Sequence, residues 1–122
     1  MIVFLMVLAG ACGAAARFIL DSSVRPRFPT PLPVSTMIIN VSGSFFLGVL
    51  AGAVLTARVP AELQTIVGTG FLGGYTTFST ANVETIRLIQ SGRSGLALIN
   101  SLGTAVLAVM GTLAGLLLGS SL

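Results

Sequence analysis

Charge is scarce in this chain: only 7% of its 122 residues are Asp, Glu, Lys or Arg. A soluble domain of this size needs a polar surface, and these residues cannot supply one. With a mean hydropathy of +1.04, the composition is that of an integral membrane protein. The six basic residues, all arginine, stand against three acids. So few charges do not make a nucleic-acid-binding patch, and they read instead as membrane-topology signals. Histidine is absent and Cys12 is the sole cysteine, which excludes an intrachain disulfide and a zinc or haem site. Cys12 lies in an apolar run and is expected to be a small packing residue. No carboxylate lies deep in an apolar run, since Asp21, Glu62 and Glu84 all fall toward the ends. A proton-coupling site of the kind used by secondary transporters is therefore not expected. Nucleophile–base pairs and phosphate-cradling loops are also missing, so an enzyme is not expected. The uncharged first 16 residues lack the basic start of a signal peptide.

What the chain does have is long uncharged runs, at residues 1–16, 28–57, 63–83 and 94–122. A spanning helix needs roughly 20 apolar residues. Four spans are predicted, at about 2–20, 34–57, 61–90 and 94–120, within a single all-α transmembrane domain covering 1–122. Residues 25–33 carry four of the five prolines and predict a stiff extended loop. Pro60 suits the first turn of the third helix, and 90–95 forms a short turn. Gly48 and Gly52, then Gly111, Gly115 and Gly119, recur at intervals that let membrane helices approach closely. Four helices enclose little interior, so an oligomer is expected. Arg17, Arg25, Arg27, Arg87 and Arg93 lie toward one side of the membrane, against Arg58 alone on the other. The positive-inside rule then places both termini outside the cytoplasm.

The run Gly73-Gly74-Tyr75-Thr76-Thr77-Phe78-Ser79-Thr80 does not suit a lipid-facing helix. Every backbone polar group in hydrocarbon needs a partner, and irregular backbone is tolerated there only inside protein or beside a wet cavity. The run predicts a broken third helix, and broken helices in membranes commonly coordinate ions. Thr76, Thr77, Ser79 and Thr80 place hydroxyls around the break. Phe78 is either ordinary packing or a ring whose positive edge faces an anion. Asn40, in span 2, either bonds a neighbouring helix or donates to an anion. Asn100 and Thr104 share a face of span 4 and, with Ser101 nearby, form either a polar stripe or interhelical hydrogen bonds. Arg17 either snorkels to the interface, the default for its position, or anchors a wet vestibule.

Taken together, these motifs resemble the Fluc (CrcB) family of bacterial fluoride channels over nearly the whole chain. The resemblance rests on Gly10-x-x-Gly13-x-x-x-Arg17, on Asn40-x-x-Gly43 with Gly48, and on the run from Gly70 to Thr80 followed by Glu84. It implies an antiparallel, dual-topology-type dimer in the bacterial plasma membrane, with two fluoride pathways along the subunit interface. It also implies a structural sodium ion (Na+) held by backbone carbonyls, which fall here on Gly73 and Thr76. The fluoride pathway falls on Asn40, Phe78, Ser79, Thr80 and Thr104, and the vestibule arginine on Arg17. The implied function is passive fluoride export, with the lipid bilayer, fluoride and a second subunit as partners and no nucleic acid.

The chain also departs from the family pattern. A second pore phenylalanine is replaced by Ala81, and a hydroxyl one turn beyond Thr104 by Ala108. A dual-topology homodimer needs little arginine bias, whereas this chain is strongly biased. Both features favour a heterodimer of homologous chains over a homodimer. Two other readings compete: a small multidrug or guanidinium exporter, which depends on a first-helix glutamate absent here, and a scaffolding subunit of a heterodimeric channel.

Overall fold

The computed structural model describes Met1–Leu122 as helices joined by short connections, with no β-strand. Helix α1 runs Ile2–Val24 and α2 runs Val34–Leu55. A helical segment, α3, occupies 61–75, and α4 occupies Phe78–Gln90. Helix α5 occupies Ser94–Ser121. Three stretches are long and apolar enough to cross a membrane: Ile2–Arg27, Val34–Leu55 and Ser94–Ser121. The chain is thus a multi-pass membrane protein. The 61–90 region is not a fourth such helix, because it is divided between α3 and α4.

The proline-rich connection is not wholly extended. Arg25–Arg27 makes a 3-10 turn, with Pro26 near its start, where a missing N–H costs no helical bond. Beyond it, Thr30 and Leu32 bond each other in a local turn.

Backbone contact at glycines holds the helices together in two pairs. A Cβ at Gly13 would strike the Phe71 carbonyl, and one at Gly74 would strike the Gly10 carbonyl, so α1 and α3 touch main chain to main chain. Between α2 and α5, Gly48 lies on the Thr112 carbonyl and Gly52 on that of Leu116. From the other side, Gly115 lies on the Phe45 carbonyl and Gly119 on that of Val49. Such contacts suit membrane helices, which gain little from hydrophobic burial and associate through close van der Waals packing. Gly111 makes only ordinary contact. The Thr112 hydroxyl adds an interhelical bond to the Ser44 carbonyl, at 3.3 Å.

Two segments widen to i→i+5 bonding, Gln64–Leu72 within α3 and Ile99–Gly103 within α5. Such π-helical stretches often accompany functional sites. The core is small, and Ile39, Asn40 and Asn100 are its largest fully buried side chains. Cys12 is exposed on α1, so it does not pack within this chain as expected.

Candidate functional site

The site grows from the gap between α3 and α4. Thr76 (φ −83°, ψ 156°) and Thr77 (φ −151°, ψ 103°) are extended, so helical bonding stops after Tyr75 and resumes at Phe78. Half-buried polar backbone within an apolar run needs replacement partners there. Asn40 on α2, wholly buried, supplies them. Its Oδ1 accepts the Thr77 N–H at 2.8 Å, and its Nδ2 donates to the Thr77 carbonyl at 3.0 Å. One carboxamide thus satisfies both main-chain groups of a single extended residue. Thr77 in turn caps α4: its hydroxyl oxygen accepts the Thr80 N–H at 3.3 Å and donates to the Thr80 hydroxyl at 3.0 Å. A threonine at this position satisfies one of the donors that every helix start leaves open.

These substitutions leave two carbonyls without their helical donors. In an unbroken helix the Gly73 carbonyl takes the Thr77 N–H and the Thr76 carbonyl takes the Thr80 N–H. Here those N–H groups go to Asn40 and to the Thr77 hydroxyl. Gly73 and Thr76 line a cleft of about 130 Å³ with Gly43, Ser44, Leu47, Gly68, Leu72 and Phe78. Gly43 makes room for the break, since a Cβ there would collide with the Thr76 side chain. Phe78 is 59% exposed, so its own chain leaves most of the residue uncovered.

A second, charged region adjoins the break. Arg17 does not extend outward to the interface: its Nε donates to the Gly74 carbonyl at 3.3 Å. With Asp21, Arg25, Thr36, Thr77 and Thr80 it lines a cleft of about 270 Å³. A wider cleft of about 450 Å³ is lined by Ser79, Thr80, Glu84, Arg87, Asp21 and Arg25. Arg25 bridges two helices, pairing with Asp21 at 2.8 Å and with Glu84 at 3.5 Å. The Ser35 hydroxyl adds a bond to Asp21 at 2.7 Å, which ties the end of α1 to the start of α2.

The expected residues therefore fall into groups. Arg17, Ser79 and Thr80 border the charged clefts, and Gly73, Thr76 and Phe78 share the small cleft at the break. Asn40 lies buried at the break itself. Thr104 lines none of these three clefts; it is 5% exposed and its hydroxyl has no partner. Asn100 bonds α4, donating to the Thr85 hydroxyl at 2.7 Å and to the Ala81 carbonyl at 3.3 Å, while its Oδ1 is unpartnered. Ser101 points away from both, exposed and bonded to the Ala97 carbonyl, so no continuous stripe forms.

Sequence reasoning missed the double bond between Asn40 and Thr77, the Tyr75–Ser42 hydroxyl contact at 3.0 Å and the Asp21–Arg25–Glu84 network. A threonine placed directly before a helix is a capping signal, and it could have singled out Thr77. The others join residues far apart in sequence and left no local trace.

No group of His, Cys, Asp and Glu side chains is placed to hold a metal. The oxygen donors at the break are main-chain carbonyls, a donor type that suits a hard cation.

Comparison with known proteins places these features in context. The family profile described as CrcB-like protein, Camphor Resistance (CrcB), matches residues 4–116. A protein of Leifsonia xyli named fluoride-specific ion channel FluC 1 is 44% identical, over 98% of this chain and 87% of its own length. Fluoride-specific ion channel FluC 2 of Cutibacterium acnes is also 44% identical, over 93% of each chain. Fluoride-specific ion channel FluC of Aquifex aeolicus is 39% identical, over 99% of this chain and 98% of its own.

Proposed function

The chain belongs to the CrcB family, a family of membrane channels rather than enzymes, and from that membership we propose that it is a subunit of a fluoride channel in the bacterial plasma membrane. The observation that carries the reading is similarity over nearly the whole chain, at 39–44% identity, to proteins named fluoride-specific ion channels.

Hydrogen fluoride crosses membranes uncharged and dissociates in the near-neutral cytoplasm, where the anion is trapped. A passive pore lets the negative-inside potential drive fluoride out, with no proton or ATP coupling. The cleft beside Arg17, where Arg17 and Arg25 stand against Asp21 alone, offers anions a net positive entrance. Fluoride is small and tightly hydrated, so the pathway must replace its water with donors. Thr80 borders that entrance, and Ser79 the wider cleft beside it. Asn40 keeps a second Nδ2 hydrogen beyond the one given to Thr77. The largely exposed Phe78 would add a weak contact through its ring edge, and the unpartnered Thr104 hydroxyl is a further donor. Pore width then sets selectivity against chloride.

The donor chemistry at the break fits sodium. The carbonyls of Gly73 and Thr76 would hold it, and two oxygens from one chain need complements from a second subunit. When bound, the ion supplies fixed positive charge and a joint between subunits. The region 61–90 is the fourth crossing, and the partner lies antiparallel to this chain. The arginine bias and Ala81 favour a homologous second chain over a copy of this one. Ala81 also sustains a second reading, in which this chain scaffolds a partner that conducts.

Reconstitution in liposomes, with a fluoride electrode and chloride as control, tests the proposal. This chain together with an oppositely biased homologue is expected to release fluoride and not chloride, and this chain alone to be silent. Efflux from this chain alone overturns the heterodimer, and silence from both together overturns the fluoride reading. Substitution of Phe78 and Asn40 is expected to cut the flux at least tenfold. Undiminished flux assigns conduction to the partner's residues.

A further inference from the structure

The break between α3 and α4 is held by side chains with a specific consequence for the main chain. Two carbonyls, those of Gly73 and Thr76, lose their helical donors, and each loses its donor to a different side chain. Asn40 Oδ1 takes the Thr77 N–H at 2.8 Å, and Thr77 Oγ1 takes the Thr80 N–H at 3.3 Å. Asn40 Nδ2 also donates to the neighbouring Thr77 carbonyl at 3.0 Å. Of the carbonyls at Gly73, Thr76 and Thr77, only the last is thus claimed by a side chain.

We infer that Asn40 and Thr77 are a pair of positioning residues that keep the Gly73 and Thr76 carbonyls free of helical hydrogen bonds and so build the oxygen cradle for a sodium ion. This rests on the sodium reading above and extends it. The cation site is made by two side chains that do not themselves supply its ligands.

The burial of Asn40 supports the assignment. A wholly buried carboxamide commits its acceptor and one donor hydrogen to one residue's main chain, so its geometry is fixed by the break before any ion arrives. The same contact fixes the break in return, because half-buried Thr77, extended at membrane depth without partners, would leave two main-chain groups unsatisfied. Without Asn40, the Thr77 N–H is free to return to the Gly73 carbonyl and continue the helix. Without the Thr77 hydroxyl, the Thr80 N–H is free to return to the Thr76 carbonyl. Either change closes one half of the cradle.

The test pairs a sodium readout with a main-chain readout on the assembled channel in detergent. Thermal melting is compared in sodium chloride and in N-methyl-D-glucamine chloride, and amide hydrogen exchange is followed across 73–80. Wild type is expected to melt higher in sodium. Asn40→Ala and Thr77→Val are each expected to lose most of that difference and to alter exchange at least tenfold, at Thr77 and Thr80 respectively. Thr77→Ser keeps the hydroxyl and is expected to retain both properties. Asn40→Asp keeps the acceptor for the Thr77 N–H and loses the donor, and it serves where Asn40→Ala does not assemble. It is expected to retain slow exchange at Thr77. A full sodium-dependent shift in Asn40→Ala or Thr77→Val, or fast Thr77 exchange in Asn40→Asp, overturns the inference. The absence of any shift in wild type overturns the sodium reading beneath it.

Discussion

At the scale of single residues, the buried hydroxyl of Thr104 separates structural from functional roles. An unsatisfied buried polar group costs about 1–3 kcal/mol, so a hydroxyl without a partner adds no stability to this chain by itself. Thr104 Oγ1 is such a group. Thr104→Val removes the hydroxyl and keeps the shape. Its melting temperature in detergent is expected to equal or exceed that of wild type, while fluoride efflux falls several-fold. A stability loss with unchanged efflux would make Thr104 a packing residue. Asn100, one turn earlier, differs in its donor: its Nδ2 is tied to Thr85 and Ala81, so it joins α5 to α4, although its Oδ1 has no partner in this chain. Both positions were legible as buried polar residues on one helix face. Their division into joint and free hydroxyl was not, because it depends on what α4 places opposite each.

At the scale of elements, main-chain contact between helices is the dominant device. The glycines of α2 and α5 sit directly on opposing carbonyls, and methyl groups there would force the helices apart. Overpacking of this kind costs about 1–3 kcal/mol. Gly115→Ala is therefore expected to lower the melting temperature markedly. Gly103→Ala, whose Cβ would find Ile99 only at 3.8 Å, is expected to leave it unchanged or raise it, because alanine favours helix by about 1 kcal/mol. Equal effects at the two sites would refute the close-contact account. The glycine spacing of α2 and α5 was readable along the chain. That α3 pairs with α1 was not, because Gly10, Gly13 and Gly74 reveal their partners only when the helices are brought together. The break was legible as Gly73-Gly74 and its hydroxyls, since such residues do not suit a continuous membrane helix. The residue that holds it, Asn40, lies 37 positions from Thr77.

At the scale of the whole molecule, the arginine distribution is expected to govern orientation. Arg17, Arg25, Arg27, Arg87 and Arg93 gather toward one end, and Arg58 lies on the opposite connection. Replacing Arg25, Arg27 and Arg93 with glutamine removes the loop charges that set topology. A C-terminal reporter is expected to read outside the cytoplasm for wild type and in mixed orientation for the triple variant. A single unchanged orientation would show that topology is set by packing instead. Arg25 carries a second burden, since it links Asp21 to Glu84. For that reason Arg27→Gln with Arg93→Gln is the cleaner control.

Composition and pattern by themselves determined the solvent this protein lives in, its uncharged runs, its glycine seams and the place where its third helical segment breaks. Each is a property of neighbouring residues meeting a fixed environment, and hydrocarbon imposes the same rule on every backbone group. Only the tertiary structure decided which side chains stand in for the missing helical bonds, why Arg17 turns inward to Gly74, and that Phe78 is left largely uncovered at the edge of the cleft. Those outcomes depend on long-range pairing, where one carboxamide or one guanidinium chooses among many acceptors. That choice follows from helix placement, which a linear pattern of residues does not contain.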